Sequence, residues 1–233
     1  MQPVLLAGWI ILTLVLSTLV LILAKRYGLG IAVGVFAGMV VVANVIAVKP
    51  VIFGPFVVPA AVLIYAATFL MTDVITEIWG KREAQLAIIG GFLANIFLVL
   101  GVYLTIKWPG ARFWQAQQAL ESILGLTPRI VFASMVAYLI SQTHDVLAFH
   151  FWKRKTRGRH LWLRNNLSTA VSQLIDTGIF ITIAFYGILP LVPLIIGQYL
   201  IKLIIALCDT PFCYLGVKIL VGKKIQIKNA CGR

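Results

Sequence analysis

A chain of 233 residues that is 61% hydrophobic and only 12% charged, with a mean hydropathy of +1.00, falls outside the composition of soluble globular domains. Its formal net charge of +13 suggests nucleic acid at first sight, but the basic residues sit in short segments between apolar runs, where they orient a membrane protein. Cys208, Cys213 and Cys231 form no CxxC pair and leave an odd count, so they read as inert thiols rather than as a disulfide or metal set.

The first apolar run, Leu5 to Ala24, is free of charge and is followed at once by Lys25 and Arg26. No Lys or Arg precedes it, which suits a membrane span with its N-terminus outside better than a signal peptide. Six further runs follow: Leu29 to Val48, Pro59 to Ile78, Ala84 to Ile106, Arg129 to Phe149, Leu167 to Leu189, and Pro193 to Val221. Each is long enough for a span of about 20 residues. The expectation is an all-α polytopic bundle of about seven transmembrane helices in a single transmembrane domain, with no separate soluble unit.

Threading the runs alternately through a bilayer puts Lys25, Arg26, Lys81, Arg82, the cluster from Lys153 to Arg164 and the tail from Lys218 to Arg233 on one side. The other side receives only Lys49, Lys107, Arg112 and Arg129. Fifteen basic residues against four make the richer side cytoplasmic, so the C-terminus is expected inside.

Three segments between or within the runs are irregular. KPVIFGPFVVP, residues 49 to 59, carries three prolines and a glycine in apolar sequence and reads as a partly inserted hairpin on the outer side. GARFWQAQQALESILGL, residues 110 to 126, spaces Phe113, Ala116, Leu120, Ile123 and Leu124 on one helical face. Such a helix lies on the outer interface, either as a surface element or as a gate over a cavity. Asp209-Thr210-Pro211 interrupts the last run, and proline there predicts a kink beside a carboxylate.

The acidic residues carry the functional signal. Of seven, only Glu83 and Glu121 fall in loops, whereas Asp73, Glu77, Asp145, Asp176 and Asp209 lie inside or at the ends of spans. A carboxylate near mid-bilayer costs on the order of 3 kcal/mol even on insertion scales. SQTHDVLAF (141 to 149) and SQLIDTGIF (172 to 180) share the pattern Ser-Gln-x-x-Asp-x-x-x-Phe. At about 100° per residue its four members fall within one narrow stripe of a helix. The first copy ends an inward-going helix and the second begins an outward-going one, so two antiparallel helices bring the same stripe to one layer. Asp73 and Glu77, four apart, share a face of another span, and Asn44 and Asn95 add amides from two more. Asn165, Asn166, Ser168 and Thr169 are expected to cap the start of the sixth span. Each of these polar residues also has a plain structural use, as an interhelical hydrogen bond or as an ion pair with Arg82 or Lys202.

Enzymatic patterns are missing. His144 and His150 are six apart, off one helical face, and no HExxH, GxSxG, P-loop or dinucleotide fingerprint occurs. Neither a metal nor a cofactor is implied.

MTDVITEIWGKREA (71 to 84), SQTHDVLAF and WLRNNLSTAVSQLIDT (162 to 177) resemble, in order, the hallmark segments of the queuosine precursor transporters, also described as a vitamin uptake transporter family. The resemblance covers roughly residues 30 to 220. It implies a six-helix core, residues 29 to 222, that imports 7-deazaguanine bases (preQ0, preQ1 or queuine) across the cell membrane for tRNA modification. Residues 1 to 28 then form an extra N-terminal span and 223 to 233 a basic cytoplasmic tail. A deazaguanine presents N1–H and an exocyclic amine along one edge, a donor pair that one carboxylate accepts in bidentate fashion. The expected substrate-binding set is Asp176 or Asp145 for that edge, Gln173 and Gln142 for the carbonyl and ring nitrogen, and Phe149 or Phe180 for stacking. Asp73 and Glu77 line the inner exit, Asn44 and Ser172 contribute further polar contacts, and Lys202 holds the acidic layer together without substrate. The partners implied are a purine-like small molecule and the lipid bilayer, with no nucleic acid; self-association stays open. Two other classes remain: a substrate-binding subunit of an energy-coupled vitamin transporter, and an intramembrane enzyme.

Overall fold

In hydrocarbon a backbone must satisfy its own polar groups, and an apolar run does so by coiling into a helix. The computed structural model describes the backbone of residues 3–155 and 161–205, and the side chains of these residues apart from 3–7, 66, 77, 142–143, 145–155 and 161–169. The helices are α1 (Pro3–Tyr27), α2 (Gly30–Ile46), α3 (Val62–Trp79), α4 (Lys81–Lys107), α5 (Gln117–Leu124), α6 (Thr127–Lys155) and α7 (Leu161–Phe185). An eighth, α8, runs over Leu191–Ile205. Six of the seven apolar runs coincide with one helix each, the seventh is helical as far as Ile205, its last described residue, and α5 is the short extra one. By length and composition Gly8–Tyr27, Lys81–Lys107 and Gln117–Ser141 are long and apolar enough to cross a membrane, and four shorter apolar helices accompany them.

The surface is as apolar as the interior. Leu93, Phe97, Leu100 and Leu104 follow one another along α4 at helical spacing, and all four are exposed. Leu12, Leu16, Leu19 and Leu23 do the same on α1. Continuous exposed apolar faces of this size mark contact with lipid rather than water. The helical bundle is that of a membrane protein.

Two departures from a purely helical reading follow from local chemistry. Residues 50–59 form the expected hairpin, as a pair of antiparallel strands, β1 (Pro50–Phe53) with β2 (Phe56–Pro59), in the register Pro50↔Pro59 to Phe53↔Phe56. Gly54, at φ +59°, supplies the positive dihedral that so tight a two-residue turn requires. The third helix consequently starts at Val62 rather than at Pro59. The second departure is in α7, which begins at Leu161, so Asn165, Asn166, Ser168 and Thr169 fall within the helix and not at its cap. Gly80, at φ +99°, is the single residue between α3 and α4. Only a residue without Cβ turns the chain there at no steric cost.

Three apolar clusters hold the bundle. Leu14, Leu21, Phe36, Leu70, Met71, Ile75 and Ala87 join α1 to α4. Ala43, Ile130, Ala133, Ile181, Phe185 and Leu194 join α2, α6, α7 and α8. Val58, Val62, Ile201 and Ile205 seat the hairpin between α3 and α8. Hairpin and helix touch closely at Gly197, where an added Cβ would stand 2.4 Å from the Val57 carbonyl oxygen. Arg129, at the start of α6, donates from Nε to the Ile183 carbonyl at 2.6 Å and from its terminal nitrogen to that of Tyr186 at 2.8 Å. It thereby satisfies the exposed carbonyl end of α7 and fixes α6 and α7 as antiparallel neighbours.

Candidate functional site

The antiparallel pairing of α6 and α7 brings the two Ser-Gln-x-x-Asp copies together. The Ser141 hydroxyl lies 3.4 Å from Asp176 Oδ1 and shares its one proton between that carboxylate and the Tyr138 carbonyl at 3.2 Å, and His144 Nδ1 meets Ser172 Oγ at 3.0 Å. Residues of the first copy thus contact residues of the second at one depth, as the opposed directions of the two helices predict. Of the described carboxylates, Asp176 alone is buried.

Lys202 completes the pair. Its Nζ donates to Asp176 Oδ2 at 2.6 Å, with both side chains under one-tenth exposed. Burying two charges is tolerable only when they are paired and their remaining hydrogen-bonding capacity is met. Here Oδ2 receives a short charge-assisted bond and Oδ1 a longer one from Ser141. The ammonium also lies 5.4 Å from the centroid of the Tyr65 ring, within cation–π range.

This ion pair lines a small recess that opens to the surface. The wall is made by Pro59 of the hairpin, Ala61, Val62 and Tyr65 at the start of α3, Ser134 and Ala137 of α6, Asp176 and Phe180 of α7, and Gln198 and Lys202 of α8. The spacings explain the assembly. Asp176 and Phe180, and likewise Gln198 and Lys202, are four residues apart and so share a helical face. The result is a mostly apolar pocket with a few convergent polar groups, the usual form of a small-molecule site.

The remaining expected residues are placed variously. Gln173 is half-buried, with an Oε1 that is buried and has no hydrogen-bond partner among the described residues, about one turn before Asp176. Ser172 is buried against His144. Asn44 does not line the cavity: its Nδ2 donates to Asn95 Oδ1 at 2.8 Å, and Asn95 donates in turn to the Gly91 carbonyl at 2.8 Å, tying α2 to α4. Asp73 is exposed near the end of α3. Gln142, Asp145, Phe149 and Glu77 have side chains outside the described ones, and Asp209 with its expected kink lies outside the described residues. Tyr65, Ser134 and Gln198 are wall residues that the sequence reading passed over. Gln198 carried a usable signal, an amide four residues before Lys202 in an otherwise apolar run, whereas nothing local distinguishes Tyr65 or Ser134.

Comparison with known proteins agrees with this picture. The family described as "Putative vitamin uptake transporter" matches residues 59–216. The "Probable queuosine precursor transporter" of Bacillus subtilis is 35% identical over 218 residues, 91% of this chain and 94% of that protein. The "Queuosine precursor transporter" of Escherichia coli is 32% identical over 118 residues, 51% of each chain. A relative from Haemophilus influenzae, "Probable queuosine precursor transporter", is 27% identical over 124 residues, 53% of this chain and 50% of that protein. No solved structure matches. These relatives are transporters and not enzymes, and the matched span includes the hairpin's last residue, both Ser-Gln-x-x-Asp segments and Lys202. The chain belongs to the vitamin uptake transporter family that contains the queuosine precursor transporters.

Proposed function

We propose that the protein imports 7-deazaguanine bases, the precursors of queuosine, across the cell membrane. The observation that carries this reading is the buried Asp176–Lys202 pair lining an apolar cavity in a chain that is 35% identical, over 91% of its length, to a queuosine precursor transporter. The N-terminus is outside and the C-terminus cytoplasmic, following the distribution of Lys and Arg. Residues 29 to 222 act as a six-helix core, α1 as an additional span, and the hairpin faces outward.

The chemistry suits the substrate class. N1–H and the exocyclic amine of a deazaguanine form a donor pair matched to the two oxygens of Asp176. Without substrate those oxygens are held by Lys202 and Ser141. An arriving base takes the place of the ammonium at Oδ2, and Lys202 retreats toward the Tyr65 ring beside it. Phe180 offers its ring for stacking. Asp145 is the alternative carboxylate for the same edge, Gln142 and Gln173 serve the carbonyl and ring nitrogen, Phe149 is the alternative stacking ring, and Asp73 with Glu77 line the inner exit.

The test is uptake of labelled base by cells lacking their own route, comparing wild type with Asp176→Asn at equal membrane abundance. Uptake by wild type and its loss in the variant is the expected result. Undiminished uptake by the variant removes Asp176 from the site. Uptake that appears only when an ATPase module is co-expressed identifies an energy-coupled subunit instead.

A further inference from the structure

Building on the base-import reading, we propose that Gln198 determines specificity: it reads the N3 and N9–H edge of a free deazaguanine and so excludes compounds glycosylated at N9. Gln198 is 5% exposed and lines the cavity, yet its Oε1 has no hydrogen-bond partner among the described residues. Buried polar atoms are seldom left unpaired, because each forfeits its hydration without return. An unpartnered acceptor in the wall of a binding cavity is accounted for when a ligand N–H completes it.

Which N–H follows from the arrangement. Gln198 and Lys202 are one turn apart on α8, about 6 Å along the axis. A base that replaces the Lys202 ammonium at Asp176 with N1–H and its exocyclic amine presents its next edge about one turn away, toward Gln198. That edge carries the N3 acceptor and the N9–H donor. A glutamine amide matches it in kind, Oε1 accepting from N9–H and Nε2 donating to N3. In a nucleoside N9 bears a sugar, so the donor is gone and the acceptor of Gln198 stays buried and unmet. A site made to hydrogen-bond a particular N–H rejects the analogue that lacks it far more strongly than an apolar pocket rejects extra bulk.

The amide is also held in position. Its neighbour Gly197 packs without a Cβ against the Val57 carbonyl, and Ile201, three residues on, is buried against the hairpin cluster. Position 198 is therefore fixed relative to β2, which limits the freedom of the amide to turn away.

The experiment uses full-length protein in cells without their own uptake route, at matched membrane abundance, with labelled 7-cyano-7-deazaguanine as the transported probe. Its 9-methyl derivative serves as competitor. In wild type the 9-methyl compound should compete at least about tenfold less well than the parent base. Gln198→Leu should raise KM about tenfold or more and let parent and 9-methyl compounds compete equally. Gln198→Glu keeps an acceptor and loses the amide donor, so it should weaken uptake yet retain discrimination. A Leu variant with wild-type KM, or one that still discriminates, overturns the proposal. Equal inhibition of wild type by both compounds overturns it too, without any variant having to fold. Absence of base uptake by wild type refutes the import reading itself, a different result from uptake that ignores position 198.

Discussion

Removing one partner of the Asp176–Lys202 pair and removing both should have opposite consequences. The two atoms are 2.6 Å apart, and the side chains are 5% exposed for Lys202 and 8% for Asp176, so water replaces a lost partner only poorly. Asp176→Asn leaves a buried ammonium facing a neutral amide, and Lys202→Met leaves a buried carboxylate whose remaining hydrogen-bond partner among the described residues is the Ser141 hydroxyl. Each single change should destabilise the protein by about 3–5 kcal/mol. The double variant Asp176→Asn, Lys202→Met removes both charges and should come within about 1 kcal/mol of wild type. For a chain of this size each kcal/mol moves the melting midpoint by about 2–4 °C, so the single variants should melt on the order of 10 °C lower and the double variant close to wild type. Thermal unfolding of detergent-solubilised protein, followed by tryptophan fluorescence, reads this directly. Single variants as stable as wild type, or a double variant no more stable than the singles, would refute the reasoning that the pair is buried and mutually compensating. The double variant also separates stability from transport: it should be folded and still fail to take up base, because the acceptor for the donor edge has gone.

Two further outcomes test the frame around the cavity. Gly197→Val should displace the hairpin, because its Cβ would meet the Val57 carbonyl oxygen at 2.4 Å; a loss of about 1–3 kcal/mol is expected in the same unfolding assay, with reduced uptake. Asn44→Ala removes the 2.8 Å bond to Asn95 and should lower stability by roughly 0.6–1.7 kcal/mol while leaving KM for the base unchanged. A raised KM with unchanged melting would return Asn44 to the substrate.

Much of this molecule is written in one-dimensional order. Composition alone marks a membrane protein, and every apolar run is helical over its described residues, because a segment that must satisfy its own backbone in lipid has few alternatives. The carboxylate Asp176 stands out for the same reason, as a costly residue in an apolar run. The direction of each span further predicts that the two Ser-Gln-x-x-Asp segments come together, and among the described side chains the Ser141–Asp176 and His144–Ser172 contacts join the first segment to the second.

What the order of residues left undecided is partnership. Asn44 and Asp176 look alike as polar residues in apolar spans, yet the first is engaged by Asn95 on α4 and the second by Lys202 on α8. The proline- and glycine-containing sequence of residues 49 to 59 already suggests a hairpin, but its strand pairing depends on the register that Gly54 and the groove between α3 and α8 impose. Tyr65, Ser134 and Gln198 acquire meaning only where three helices converge on one cavity. Periodicity specifies which face of a helix is polar, since that depends on rise and turn alone. Which polar face meets which is decided by packing, because complementary volume, close backbone approach at Gly197 and pairing of buried charge are properties of elements far apart in the chain.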